Sequence, residues 1–147
     1  MRAPPSFTRG TIMQHVHTAR TETIGSRENG FARSSDGALD IRLSNPAGNR
    51  LGTNPEQLVA IAWSASFASS LKHVADIRRI KLHADVRIYA NVELSSDDQG
   101  YVVGVRLDIY LPGLDREIAS ALVEAARLEC PYCRATHGNI HAFYNLV

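Results

Sequence analysis

The sequence predicts an α+β fold, in which antiparallel strands pack against two helices that occupy separate parts of the chain. Three patterns predict this class. The first third is rich in turns, residues on either side of the 95–100 turn alternate between apolar and polar, and two apolar helical patterns flank that hairpin. With 147 residues, 44% of them hydrophobic, the chain has the size of one domain and can bury a core.

Residues 1–13 are expected to form a flexible N-terminal arm, and residues 14–147 a single domain. The arm lacks the apolar run of a signal peptide, and the sequence contains no convincing membrane span. The formal net charge of +1 gives none of the basic excess typical of nucleic-acid binding, and two cysteines are too few for a disulfide framework. We therefore expect a cytoplasmic protein without nucleic-acid or membrane partners.

The first elements are expected to form a short β-meander. Residues 14–24 are rich in threonine and favour a strand. Turn sequences follow at 25–30 and at 34–37. The alternation over 39–43 then predicts a half-buried strand.

The best-defined helix start in the sequence is at Asn54. Its side chain suits the N-cap, Pro55 suits the first helical position, and Gln57 stands where a capping-box partner would reach back. The residues that follow, as far as Leu71, are apolar on nearly all sides, which predicts a buried central helix. Residues 72–81 are expected to form a charged connector.

The second half is predicted to contain a hairpin, a helix and a final strand. Strict alternation over 83–94 and 103–111, on either side of the loop at 95–100, predicts two antiparallel strands. Asp115 is a suitable cap for the second helix, and the last strand is expected over 140–146. The predicted apolar face of that helix consists of Ile118, Ala121, Leu122, Ala125 and Leu128.

Four segments, in the same order along the chain, resemble the organic hydroperoxide resistance (Ohr) branch of the OsmC family. They are residues 52–58 (GTNPEQL), 71–75 (LKHVA), 111–117 (LPGLDRE) and 130–140, which contains CPY, AT and GNI. The resemblance covers nearly the whole chain from His17. It implies an OsmC-like fold, with antiparallel sheets wrapped around two central helices in an intertwined homodimer.

The same resemblance implies a thiol-dependent peroxidase that reduces organic, lipid-type hydroperoxides to alcohols in oxidative-stress defence. Such an enzyme needs no bound cofactor. Its thiols are returned to the reduced state by an external dithiol, typically a lipoyl group carried by a protein partner.

The family chemistry uses four side chains. A peroxidatic cysteine attacks the peroxide as thiolate, an arginine favours the thiolate, a glutamate holds the arginine, and a second cysteine resolves the sulfenic acid to a disulfide. By resemblance, Arg27, Glu56 and Cys130 take the last three roles. Ser66 occupies the position of the peroxidatic cysteine. Phe67 and Tyr132 are expected at the substrate pocket.

Serine at position 66 removes the atom on which this mechanism depends. A hydroxyl needs an adjacent general base to become a nucleophile, and Arg27, the group expected beside it, is not a base. Two explanations fit the sequence: a deliberate Cys→Ser substitution, or a natural relative that has lost the chemistry. The alternative function is a non-catalytic paralogue that binds hydroperoxides or fatty acids.

Cys133 stands where the family usually has serine, and it gives two further hypotheses. Cys130-Pro131-Tyr132-Cys133 matches the dithiol motif of glutaredoxins, although there the motif lies between a strand and a helix near the start of the chain. Cys133 is thus a candidate redox partner of Cys130. His137 and His141 extend the pair to a zinc-like ligand set, but the gap between Cys133 and His137 is much shorter than in the usual finger.

Overall fold

The computed structural model describes residues 13–147, which form two three-stranded sheets and three helices. This architecture confirms the α+β class. Residues 1–12 lie outside the described part, so the flexible arm and the domain limits stay predictions. Within the described residues, no helix has the length and apolar character needed to cross a membrane.

The first sheet is the expected meander. It consists of β1 (Thr21–Ile24), β2 (Phe31–Ser34) and β3 (Asp40–Arg42), all antiparallel and paired in chain order. The strand predicted over 14–24 forms only in its last four residues, because its pairing partner β2 is itself four residues long.

Helix α1 (Pro55–Ile77) begins as predicted, with the Asn54 side chain accepting the Gln57 backbone N–H at 2.9 Å. The Gln57 side chain does not reach back to the cap. It accepts a hydrogen bond from the Thr53 hydroxyl at 2.6 Å instead. The charged connector predicted from residue 72 was wrong, because the helix continues to Ile77. Its buried face extends beyond Leu71 to Val74 and Ala75.

The second sheet is built on a long hairpin of β4 (Arg87–Asp97) and β5 (Gly100–Tyr110), joined by a two-residue turn. The hairpin prediction is confirmed, but β4 begins four residues later than expected. A turn around Asp85, whose backbone N–H donates to the His83 ring at 3.1 Å, occupies the start of the predicted strand.

β6 (His141–Leu146) pairs with β5 in parallel, which the expectation of purely antiparallel sheets did not include. The physical reason lies in the connection. Residues 111–140 carry two helices across the sheet, and such a crossover returns the chain in the same direction.

Helix α2 (Arg116–Glu129) starts at its predicted cap, Asp115. The residues it buries are Ala119, Leu122, Val123 and Ala126. The predicted face was therefore wrong for Ile118, Ala121 and Leu128, which are exposed in this chain. The predicted face and the observed face both have apolar residues at helical spacing, so the spacing alone does not distinguish them. The observed face contains two alanines, whose small side chains allow close packing on α1.

The core lies between α1, the second sheet and the C-terminal helices. Its largest fully buried side chains are Trp63, Phe67, Leu71, Leu107, Ile109, Leu122 and Cys130. A short third helix, α3 (Pro131–Thr136), was not predicted. The proline that ends α2 also suits the first position of a new helix, so the chain turns and continues helically.

Replacing Asn54 with alanine is expected to lower the free energy of unfolding by about 1 kcal/mol, since the Gln57 N–H then loses its cap. Urea denaturation followed by circular dichroism measures this change. Asn54→Asp keeps an acceptor at the positive end of the helix and should retain most of the stability. An equal loss in both variants would show that the cap is not the cause.

Candidate active site

Arg27 and Glu56 form an ion pair at the N-terminal end of α1. Arg27 lies in the turn between β1 and β2, and its guanidinium is 2.7 Å from the Glu56 carboxylate. The glutamate side chain is 17% exposed and the arginine side chain 36%, so the pair is partly shielded from water. A charge-assisted contact in such a place fixes the direction of the guanidinium.

The turn that carries Arg27 is closed by backbone contacts. The Gly30 N–H donates to the Ser26 carbonyl at 2.7 Å. A Cβ atom at Gly30 would lie only 2.6 Å from two carbonyl oxygens, so no other residue fits there without movement. The turn therefore presents Arg27 from a defined backbone position. The pair borders a cleft of about 530 Å³ whose opposite wall is residues 90–94 of β4.

Ser66 and Cys130 meet near the middle of α1. The Cys130 Sγ is 3.9 Å from the Ser66 Oγ, and Cys130 is fully buried. The Cys130 N–H donates to Ala126 at 2.8 Å and its carbonyl accepts from Arg134 at 3.0 Å, so both neighbouring helices hold its backbone. The structure thus brings together the two positions that the resemblance pairs as peroxidatic and resolving.

These two pairs are separate within one chain. Glu56 and Ser66 are ten residues apart on a continuous helix, which corresponds to about 15 Å along its axis. Arg27 is bound to Glu56 and lies at that end of the helix. The expectation that Arg27 lies beside Ser66 is therefore not met inside a single chain.

Cys133 lies beside two aromatic side chains, Trp63 and Tyr144, which the sequence patterns did not predict. The Trp63 indole N–H points at its sulfur at 3.4 Å. Burial raises the pKa of the Cys133 thiol to about 11, while hydrogen bonds from Tyr144 and Trp63 partly oppose that rise. Burial and the neighbouring thiol likewise raise the pKa of Tyr144. Alternation in the last strand could have identified Tyr144, since it places 142, 144 and 146 on the inner face.

The two residues expected at the substrate pocket differ in exposure. Phe67 is fully buried and stacks on Tyr144 with ring centroids 5.6 Å apart, whereas Tyr132 is 44% exposed on the first turn of α3. Phe67 thus belongs to the core, and Tyr132 is accessible from outside. Contact of either residue with a substrate stays a prediction.

The motif that contains both cysteines follows α2, as expected, but it also begins α3, with Cys130 at the N-cap. The alternative metal site is not assembled. Among residues 13–147, no three histidine, cysteine, aspartate or glutamate side chains converge around a common point. His137 ends α3 and His141 begins β6, so secondary structure separates the proposed ligands.

Alkylation of Cys133 by iodoacetamide is expected to be slow at neutral pH and to accelerate about tenfold per pH unit towards its pKa of about 11. Only the thiolate reacts, and burial keeps the folded protein's thiol protonated. Peptide mass spectrometry between pH 7 and 10 measures the rate, with the urea-unfolded chain as the control. A rate that levels off near an ordinary thiol pKa of about 8.5 would contradict this prediction.

Comparison with known proteins supports the assignment drawn from these features. Residues 47–142 match the OsmC-like protein family. The organic hydroperoxide resistance protein of Xanthomonas axonopodis pv. citri is 42% identical over 130 residues, which cover 85% of this chain and 90% of that protein. The protein OhrA of Bacillus subtilis is 40% identical over 136 residues, covering 88% and 94%.

Solved structures agree with the sequence relatives. The crystal structure of the organic hydroperoxide resistance protein OhrB of Bacillus subtilis superimposes with a TM-score of 0.83 at 39% identity, covering 89% of this chain and 98% of the other. The organic hydroperoxide resistance protein OsmC from Legionella pneumophila gives a TM-score of 0.84 at 34% identity, covering 90% of this chain and 98% of the other. This chain therefore belongs to the OsmC family, within its organic hydroperoxide resistance branch.

Proposed function

We propose that this chain is the scaffold of a thiol-dependent peroxidase for organic hydroperoxides, with a serine in place of the peroxidatic thiol. The observation that carries the proposal is the 3.9 Å contact between Cys130 Sγ and Ser66 Oγ. A thiol at position 66 would stand within reach of a buried partner thiol. The relatives named for organic hydroperoxide resistance support the substrate class.

In the proposed reaction, a thiolate at position 66 attacks one oxygen of ROOH and the O–O bond breaks. The products are a sulfenic acid and an alkoxide, which takes a proton to become the alcohol. The Cys130 thiol then attacks the sulfenic sulfur, and water leaves as the disulfide forms. An external dithiol restores both thiols by two exchange steps. Among residues 13–147, the only hydrogen bond to the Ser66 hydroxyl comes from Cys130, which is not a base in its thiol form. A serine also forms no sulfenic acid, so we expect no turnover from the chain as it stands.

We further propose that a second copy of the chain completes the site. One chain separates the Arg27–Glu56 pair from Ser66 by about 15 Å along α1, yet the chemistry needs a cation beside the thiolate. An antiparallel partner would bring its own Arg27 to Ser66. The apolar residue Ile61, 66% exposed on the same helix, supports a contact surface there. A lipoyl-bearing protein reductant and a cytoplasmic location stay predictions from the resemblance.

A second candidate function is non-catalytic binding of hydroperoxides or fatty acids. A cavity of about 420 Å³ under the C-terminal half of α1 favours it. Its lining includes Leu71, Ile80 and Leu82, and the charged residues Lys72, Asp76 and Lys81. Lys72 pairs with Asp76 at 2.7 Å, so Lys81 is the cation that would meet the anionic end of an aliphatic chain.

Ser66→Cys is expected to raise the consumption of cumene hydroperoxide, with a dithiol reductant, by at least about a hundredfold over the parent chain. The matched control is Ser66→Ala, which should stay at the parent's background rate. In Ser66→Cys with Cys130→Ser, the first turnover should occur and the sulfenic acid should then persist, as seen by dimedone trapping. If Ser66→Cys is folded and inert, the peroxidase proposal fails and fatty-acid binding becomes the better candidate. Turnover by the parent chain would instead identify Cys130 or Cys133 as the working thiol.

Mixing variants tests whether two chains share the site. The double variant Ser66→Cys with Arg27→Ala should lose about a hundredfold in rate relative to Ser66→Cys, because the thiolate lacks its cation. Refolding it with an equal amount of the parent chain should restore about a quarter of the Ser66→Cys rate, since half the dimers gain one intact site.

The control for this experiment is refolding with the Arg27→Ala variant of the parent chain, which supplies no arginine and should restore nothing. Equal rates in the two mixtures, with mixed dimers verified by native mass spectrometry, would place the site inside one chain.

A further inference from the structure

Cys130 and Cys133 lie close together at the start of α3. They lie three residues apart on the first turn of α3, and the hydrogen bond from the Arg134 N–H to the Cys130 carbonyl, 3.0 Å long, closes that turn. Cys130 is the N-cap and Cys133 the third residue of the helix, and the two thiols are close enough for a side-chain hydrogen bond between them. A disulfide needs Cβ atoms about 3.5–4.5 Å apart, so forming it takes a small shift of this turn together with a rotation of both side chains.

The two thiols have different access to the outside. Cys130 is fully buried and faces Ser66, whereas Cys133 lines a surface cavity of about 340 Å³. The other residues around that cavity are Arg127, Leu128, Arg134 and His137. Cys133 is 7% exposed and Cys130 is not exposed at all, so a small molecule in this cavity lies closer to Cys133 than to Cys130.

The cavity next to Cys133 carries an excess of positive charge. Arg127 is tied to Glu124, with its Nε 3.0 Å from one carboxylate oxygen. Among the ion pairs formed by residues 13–147, none includes Arg134 or His137. Glu129 is the acidic residue nearest to Arg134 in the sequence, and its carboxylate lies 3.9 Å from the ring of His73. An anionic ligand fits this arrangement better than a neutral or cationic one.

We propose that Cys130 and Cys133 form a second redox centre, a dithiol that closes to a disulfide by exchange with a small anionic disulfide bound in the cavity beside Cys133. The Cys133 thiolate attacks one sulfur of RSSR and displaces RS⁻, which leaves a mixed disulfide on Cys133. The Cys130 thiolate then attacks the Cys133 sulfur and displaces the second RS⁻. The protein loses two electrons and two protons, and RSSR becomes two RSH.

This centre needs no thiol at position 66, so it stands or falls independently of the peroxidase proposal. It would nevertheless affect that site. Closing the disulfide removes the Cys130 thiol, the group that faces Ser66. The reverse exchange, driven by an anionic thiol, would return it.

The test compares three small disulfides of different charge on the reduced parent chain at pH 8.5: oxidised glutathione (anionic), bis(2-hydroxyethyl) disulfide (neutral) and cystamine (cationic). Intact-mass and peptide mass spectrometry should show loss of two hydrogens and a Cys130–Cys133 link. The rate should be about tenfold higher for the anionic reagent than for the neutral one, and lowest for the cationic one. No link with any reagent, while both thiols of the urea-unfolded chain react, would overturn the proposal.

Variants separate the steps. Cys130→Ser should stop at the mixed disulfide on Cys133, while Cys133→Ser should react slowly or not at all. Arg134→Gln should lower the ratio of the anionic rate to the neutral rate, because it removes a positive charge from the cavity. Arg87→Gln, which neutralises an exposed arginine on β4, is the matched control. Equal losses in Arg134→Gln and Arg87→Gln would show that net charge, and not the cavity, sets the preference.

Discussion

The burial of one face of α1 is the constraint on which the rest of the structure depends. Trp63, Phe67 and Leu71 pack into the core against the second sheet and the C-terminal helices. Because α1 is one continuous helix of 23 residues, burial of that face also fixes the positions of all the other side chains on the helix. Glu56 is held at one end with Arg27, and Ser66 is held at the middle against Cys130. The helix thus sets both the geometry inside each pair and the distance between the pairs.

Local signals predicted much of the fold. The caps at Asn54 and Asp115 and the β4–β5 hairpin depend on neighbouring residues, and the sequence alone was enough to place them. The failures came where distant parts of the chain decide. Two faces of α2 have the same periodicity, and only packing against α1 selects the one that contains Ala119. The parallel pairing of β6 likewise depends on the path of the connection from β5 through α2 and α3. The residues of the strand itself do not indicate its direction.

The candidate site was predicted less from patterns than from the family resemblance. Nothing in the spacing of Arg27 and Glu56, or of Ser66 and Cys130, indicates contact, yet each pair is in contact in the structure. The helix predicted from Asn54 to Leu71 already implies about 15 Å between Glu56 and Ser66, but no residue pattern shows at which of the two Arg27 lies.

Trp63 is the only tryptophan in the sequence, and its indole N–H points at the sulfur of Cys133. The chain therefore has an intrinsic optical reporter at the centre of its fold. Because this indole touches a sulfur atom, its emission is expected to respond to a chemical change at Cys133. Tryptophan fluorescence thus offers a way to follow that thiol without attaching a label.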